Sequence, residues 1–157
     1  MQNISVKEIA KQTLSIEAAS LMELREFIDD SFVEIVHLID TMKGRLVVSG
    51  IGKSAIIGQK IVATLNSTGT PSFFMHAADA IHGDLGMVQQ DDIVMIISKS
   101  GESPEIKVLI TLIKNLGNKL IAMVGNLNAT LALGADLVLN TTVSQEACPN
   151  NLSLIHI

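Results

Sequence analysis

From Arg45 onward, short apolar blocks alternate with stretches of helical periodicity, and this rhythm restricts the fold more than any other feature. The apolar blocks at 45–49, 72–75, 92–97, 119–124 and 136–140 have the length of strands. Between them, 54–66, a short piece near 77–83, 103–116 and 128–134 read as helices. Pro71 and Asp91-Asp92 mark strand starts, and Gly117-Asn118 ends a helix. Alternating strands and helices demand parallel strands joined by right-handed crossovers. The expected fold is α/β: a doubly wound, five-stranded parallel sheet in the flavodoxin-like order 2-1-3-4-5. Ligands of such sheets bind at the carboxyl ends of strands where the strand order reverses. Here that crevice lies between the loops after the first and third strands.

Two helical stretches precede the rhythm. Ser5-Val6-Lys7-Glu8 reads as a capping box, followed by an apolar stripe at Ile9, Ala10, Leu14, Ala18, Leu21 and Leu24. Ser31-Phe32-Val33-Glu34 reads as a second box, opening a helix with Ile35, Val36, Leu38, Ile39 and Met42 that Gly44 ends. Neither helix is a crossover, so both must bury their stripes on the sheet, on each other or on another subunit. Hydrophobic residues make up 48% of the 157 residues and mean hydropathy is +0.43, which points to strands buried on both faces plus an oligomer interface. No apolar block approaches membrane-spanning length, so no membrane partner is expected. With net charge −5, scattered basic residues and no Trp or Tyr, nucleic acid is not an expected partner either. A single cysteine, Cys148, suits a reducing compartment, and the polar N-terminus is no signal peptide, so the expected location is cytoplasmic.

The chemistry concentrates in two loops. Gly50-Ile51-Gly52-Lys53-Ser54 joins a strand to a helix whose first N–H groups point into the turn, and Lys53 adds positive charge there. Ser98-Lys99-Ser100-Gly101-Glu102-Ser103, with Pro104 next, offers three hydroxyls before a second helix N-terminus. Either loop alone would be a plain turn with an N-cap. Together, at the predicted switch point, they read as a phosphate site. A P-loop would need Gly where Val47 stands. Gly50-x-Gly52-x-x-Ala55 fits the loose dinucleotide fingerprint, but the second strand ends in Phe74-Met75-His76, with no acid to hold a ribose. In His76–Asp84, two histidines and two acids could serve as metal ligands, acid–base groups or ordinary turn residues, and their spacing matches no strong zinc signature. Glu105 occupies a helix first turn, where the dipole alone favours a carboxylate. Glu146 precedes Ala147-Cys148-Pro149 in a loop, and Cys148 reads as a packed thiol.

Five segments in order resemble the sugar isomerase (SIS) domain of arabinose-5-phosphate isomerases: Val48–Ser54, Ser67–Pro71, His82–Gly86, Ser98–Ser103 and Glu146–Pro149. The resemblance implies interconversion of D-arabinose 5-phosphate and D-ribulose 5-phosphate by an enediol route, supplying Kdo for lipopolysaccharide or capsule. It implies a homotetramer with active sites at subunit interfaces. Catalytic positions carry over to Lys53, Glu105 and Glu146. Substrate contacts carry over to Ser54, Gly69, Thr70, His76, His82, Ser98, Ser100 and Ser103. The position of His76 holds zinc in some relatives, with no cofactor obligatory. Glu146 is the expected proton carrier between neighbouring carbons, Glu105 or His82 moves protons between oxygens, and protonated Lys53 stabilises the enediolate.

The resemblance divides the chain into helices at 1–44, a SIS domain at 45–152 and a tail at 153–157 that fits no family pattern. This implies a chain cut short, and His156 does not stand in for a catalytic histidine further along the family. Lys99 replaces a residue that is often smaller in relatives. Two competing readings are a non-catalytic sugar-phosphate sensor and an isomerase of another phosphosugar. The Lys53, Glu105 and Glu146 set weighs against the first, and the Glu-Ala-Cys-Pro loop against the second.

Overall fold

The computed structural model describes residues 5–148; the tail at 153–157 and the end of the expected SIS unit lie outside the described residues. Five parallel strands form one sheet in the order β2-β1-β3-β4-β5, as the strand–helix rhythm predicts. They are β1 (Leu46–Gly50), β2 (Ser72–His76), β3 (Ile93–Ser98), β4 (Lys119–Val124) and β5 (Leu137–Asn140). Helices α1 (Val6–Leu24) and α2 (Asp30–Asp40) come first. The others connect the strands: α3 (Lys53–Ser67), α4 (Ala77–Ile81), α5 (Pro104–Leu116) and α6 (Thr130–Gly134).

Every residue of β1 and β3 is buried, because helices cover both faces of the sheet. On one face, Val47, Met75, Val94, Ile96, Leu120 and Ala122 pack against α4, α5 and α6. Helix α5 contributes Ile106, Leu109, Ile110 and Ile113, a stripe at helical spacing in which each side chain is at most 5% exposed. Full burial stabilises by about 1.5–3 kcal/mol per such side chain. On the other face, Leu46, Val48, Ile93, Met95 and Ile97 meet Ile35 of α2 and Val62 of α3.

Three local expectations are corrected. The N-cap of α2 is Asp29, whose Oδ1 accepts from Phe32 N–H at 3.1 Å. Ser31 is already helical, and its hydroxyl donates to the Val138 carbonyl of β5 at 3.1 Å, so tertiary tethering takes the side chain that a cap would have used. Nor does Gly44 end this helix, which stops at Asp40, with Thr41 Oγ1 donating back to the His37 carbonyl. Gly44 is needed for clearance, since a Cβ there would lie 2.3 Å from the Asp91 carbonyl oxygen. Ser5 does cap α1, accepting from Glu8 N–H, but the Glu8 carboxylate meets the Ser5 hydroxyl and not its backbone. The stripe of α1 is not buried within the chain: Ile9, Leu14 and Leu21 are 52%, 65% and 56% exposed.

Polar side chains tie the amino ends of the strands together. Asp92, just before β3, accepts from the backbone N–H of Arg45 (2.8 Å), from its guanidinium (2.7 Å) and from Gln89 N–H (2.9 Å). The same guanidinium lies 4.6 Å from the Phe73 ring centre on β2. Asn118, just before β4, donates to the Asp92 carbonyl at 2.8 Å. Asp136, just before β5, accepts from Leu120 N–H of β4 at 2.8 Å. Burial alone would raise the pKa of Asp92, but the Arg45 guanidinium and the two backbone N–H groups outweigh it and hold the carboxyl below its ordinary value. A depressed carboxylate stabilises the fold above its unfolded pKa and loses that contribution as pH falls through the folded value. Asp92→Ala is expected to lower unfolding stability by about 2–4 kcal/mol in neutral urea melts, since it strands buried donors. The gap from the parent should close as the melts are repeated below about pH 4.

Candidate active site

The carboxyl end of the sheet gathers most of the predicted site residues. β1 ends at Gly50, and Gly52 turns the chain at φ +58°, a left-handed conformation that favours glycine. Helix α3 begins at once with Lys53, which is exposed, and Ser54, which is buried. No side chain caps α3, and its dipole presents positive charge to this end of the sheet. His76 ends β2 in direct register with Gly50, the last residue of β1. It packs edge-on to Phe74, with ring centres 6.4 Å apart.

β3 runs one residue beyond that level to the buried Ser98. Ser98 Oγ accepts from Gly101 N–H at 3.1 Å, and Ser100 Oγ from Glu102 N–H at 3.3 Å. Accepting these bonds shapes the loop and leaves each hydroxyl its own proton to donate to an anion. Ser103 sits at the N-cap of α5 without making a side-chain cap, and Pro104 is the first helical residue. Glu105, half-buried, lies in the same first turn. Gly101 holds φ +67° and presses on the segment before α6, where a Cβ would come within 2.6 Å of Ala129 Cβ.

Glu102 serves structure in this loop. Its carboxylate accepts from Thr130 N–H at the start of α6 and pairs with Lys107 at 2.5 Å. The Lys107 ammonium, then the Thr130 donors, lower its pKa to about 2.

The segment after β5 brings Glu146 to the same end. Its side chain is 8% exposed and meets the Lys99 ammonium, which comes from the loop after β3. Burial pushes the Lys99 ammonium pKa down. Sequence reading missed this pair, because 47 residues separate its members and no local pattern joins them.

Two of the predicted residues lie at the opposite end of the sheet. Gly69 and Thr70 precede β2, at the amino end of the sheet, and β2 itself separates them from His76 by about 13 Å. His82 follows the five-residue α4 and is exposed. The metal expectation at His76 finds one nearby acid, Asp79, with 3.9 Å between Nδ1 and Oδ2. Among the described residues no three His, Cys, Asp or Glu side chains gather to hold a metal ion. Two donors do not fit a zinc centre, which takes at least three protein ligands.

Residues 41–156 match the family model described as SIS domain. The chain belongs to the SIS domain family. It is 53% identical over 146 residues to a Haemophilus influenzae protein named "Probable arabinose 5-phosphate isomerase", covering 93% of this chain and 43% of that protein. It is 48% identical over 152 residues to the arabinose 5-phosphate isomerase KdsD of Pseudomonas aeruginosa, covering 97% of this chain and 47% of that one. The chain thus spans under half the length of these two curated relatives. A solved SIS neighbour, an Escherichia coli CFT073 protein in complex with arabinose 5-phosphate, superposes with TM-score 0.87 at 38% identity, covering 98% of this chain and 81% of that chain.

The tight fit of the serine loop gives two expectations. Gly101→Ala should lower thermal stability by about 2–4 kcal/mol, from left-handed backbone strain and overpacking against Ala129. For Glu102, whose pKa is depressed, the stabilisation is present above the unfolded value. It should disappear as pH falls from about 4.5 towards about 2. Comparing the parent with Glu102→Gln in acid melts checks this: the two curves should converge at the low end.

Proposed function

We propose that the chain is an arabinose-5-phosphate isomerase, interconverting D-arabinose 5-phosphate and D-ribulose 5-phosphate. The observation that carries this reading is the position of Glu146, drawn by Lys99 against the serine loop, at the same end of the sheet as the Gly52-Lys53 turn. The names of the curated relatives and the sugar phosphate bound to the Escherichia coli neighbour support the choice of substrate.

In this reading the phosphate lies among the helix N-termini and the hydroxyls of Ser54, Ser98, Ser100 and Ser103. The Glu146 carboxylate takes the C2 proton of the aldose. The C2–H electron pair forms the C1–C2 double bond, and the C1 carbonyl pair moves onto O1. Lys53 and the positive helix ends stabilise the charge that develops there. Glu146 then returns its proton to C1. The O2 proton leaves as the C2 carbonyl forms, and O1 gains one, with Glu105 or His82 carrying protons between the two oxygens. Protons alone move, so the route needs no cofactor.

We place the reaction in the cytoplasm, in the supply of Kdo. We assign residues 45–152 to the SIS unit and the helices in 1–44 to packing on the domain or the oligomer. A homotetramer with shared sites fits two features: the exposed apolar residues of α1, and the placing of Gly69 and Thr70 where only a site on another copy could use them. Among the described residues no helix is long and apolar enough to cross a membrane.

Exchange in heavy water tests the chemistry. With arabinose 5-phosphate, the C2 proton should be replaced by deuterium, as followed by NMR. Glu146→Ala should slow exchange by roughly 10²–10⁴-fold, and Lys53→Ala by a comparable factor. Exchange that continues unchanged in Glu146→Ala would overturn the reading.

A further inference from the structure

Lys99 reaches Glu146 along a route the fold keeps open. Its carbonyl accepts from Gly125 N–H, just after β4, at 3.1 Å, which fixes the lysine backbone against that residue. The lysine stem then passes directly over Gly125. A Cβ on Gly125 would lie 3.1 Å from Lys99 Cδ and 3.3 Å from Cε. The Gly125 carbonyl in turn accepts from Thr142 Oγ1 at 3.1 Å, which anchors the segment carrying Glu146 to the same point. Beyond Gly125 the ammonium meets the Glu146 carboxylate, 8% exposed, while the lysine side chain itself is 34% exposed.

A carboxylate buried this far tends to take up a proton, and one that is protonated cannot remove another. An adjacent cation reverses that tendency and also fixes the orientation of the carboxylate. We propose that Lys99 is a positioning residue for the reaction. It holds Glu146 ionised and aimed as the proton acceptor, and Gly125 is glycine so that the lysine stem can cross to it. This rests on the isomerase reading of Glu146 given above. Among the described residues, Glu23 of α1 also meets this segment, its carboxylate accepting from Ser144 Oγ at 3.0 Å, and Cys148 lies two residues beyond Glu146. Glu23 carries the same sign as Glu146 and opposes its ionisation, so it cannot replace the lysine.

The test compares the parent chain with Lys99→Met, Lys99→Arg and Glu146→Gln by two measurements. The first is the titration midpoint of the Glu146 carboxyl carbon in ¹³C-glutamate-labelled protein, assigned by its loss in Glu146→Gln. The midpoint should rise by about one unit or more in Lys99→Met and return towards the parent in Lys99→Arg. The second is C2 deuterium exchange with arabinose 5-phosphate. Lys99→Met should lower the rate at saturation by about a hundredfold with KM unchanged, the mark of a group acting on the chemical step. Thermal melts establish that the variants are folded. An unchanged Glu146 midpoint in folded Lys99→Met overturns the proposal, and so does a parental exchange rate in that variant. A parent with no exchange overturns the isomerase reading, and the lysine's positioning role with it. A parent that exchanges alongside an equally active Lys99→Met removes the lysine's role alone.

Discussion

The Asp92 carboxylate is the hinge of the architecture. It is buried before β3, and its partners belong to the residue just before β1 and to the loop that leads into β3. Through Arg45 the contact reaches Phe73 on β2, and through Asn118 it reaches the start of β4. Asp136 repeats the device between β4 and β5. β1, β2, β3 and β4 therefore start level with one another, β5 begins two residues further along, opposite Ile121, and a parallel ladder carries that alignment to the far end. Gly50, His76 and Ile97 finish in one row because Leu46, Ser72 and Ile93 begin in one. A slip of one residue would turn each side chain to the opposite face and move the glycine turn away from the serine loop. The charge is tolerable because the donors surrounding it outweigh the cost of burial.

Strand order and nearly all element boundaries were legible in the chain. Parallel strands covered on both faces need continuous apolar runs, and the connecting helices carry a plain 3.6-residue stripe. The same physics explains where reading failed. Ser31 and Asp29 are equally good caps by composition, and only the neighbouring β5 carbonyl decides that Ser31 is used elsewhere. Gly44 resembles a helix stop, yet its role is set by the Asp91 backbone, far along the chain. Short-range signals cannot rank such alternatives, because the deciding atom arrives from another element.

The candidate site divides in the same way. The Gly52 turn, the serine loop and His76 could be placed from strand order alone, since each follows a strand directly. Glu146 could not, because nothing near it in sequence indicates that it faces Lys99. Gly69 and Thr70 show the reverse case: they belong to a recognisable segment, but lie at the other end of the sheet from the glycine turn. Topology decides which of the residues expected from the resemblance one chain can bring together.

The two ends of the sheet carry different duties. The amino end holds Asp92, Asn118 and Asp136, whose side chains bond to backbone, to Arg45 or to Lys119. The carboxyl end holds hydroxyls, an imidazole and helix termini, on loops that the strands position but that contribute little to alignment. Such a chain can drift in chemistry without drifting in architecture. Exchanging side chains in the loop after β3 alters what is held there, while the polar clamps at the opposite end continue to define the frame. The same scaffold can therefore diversify by loop replacement alone.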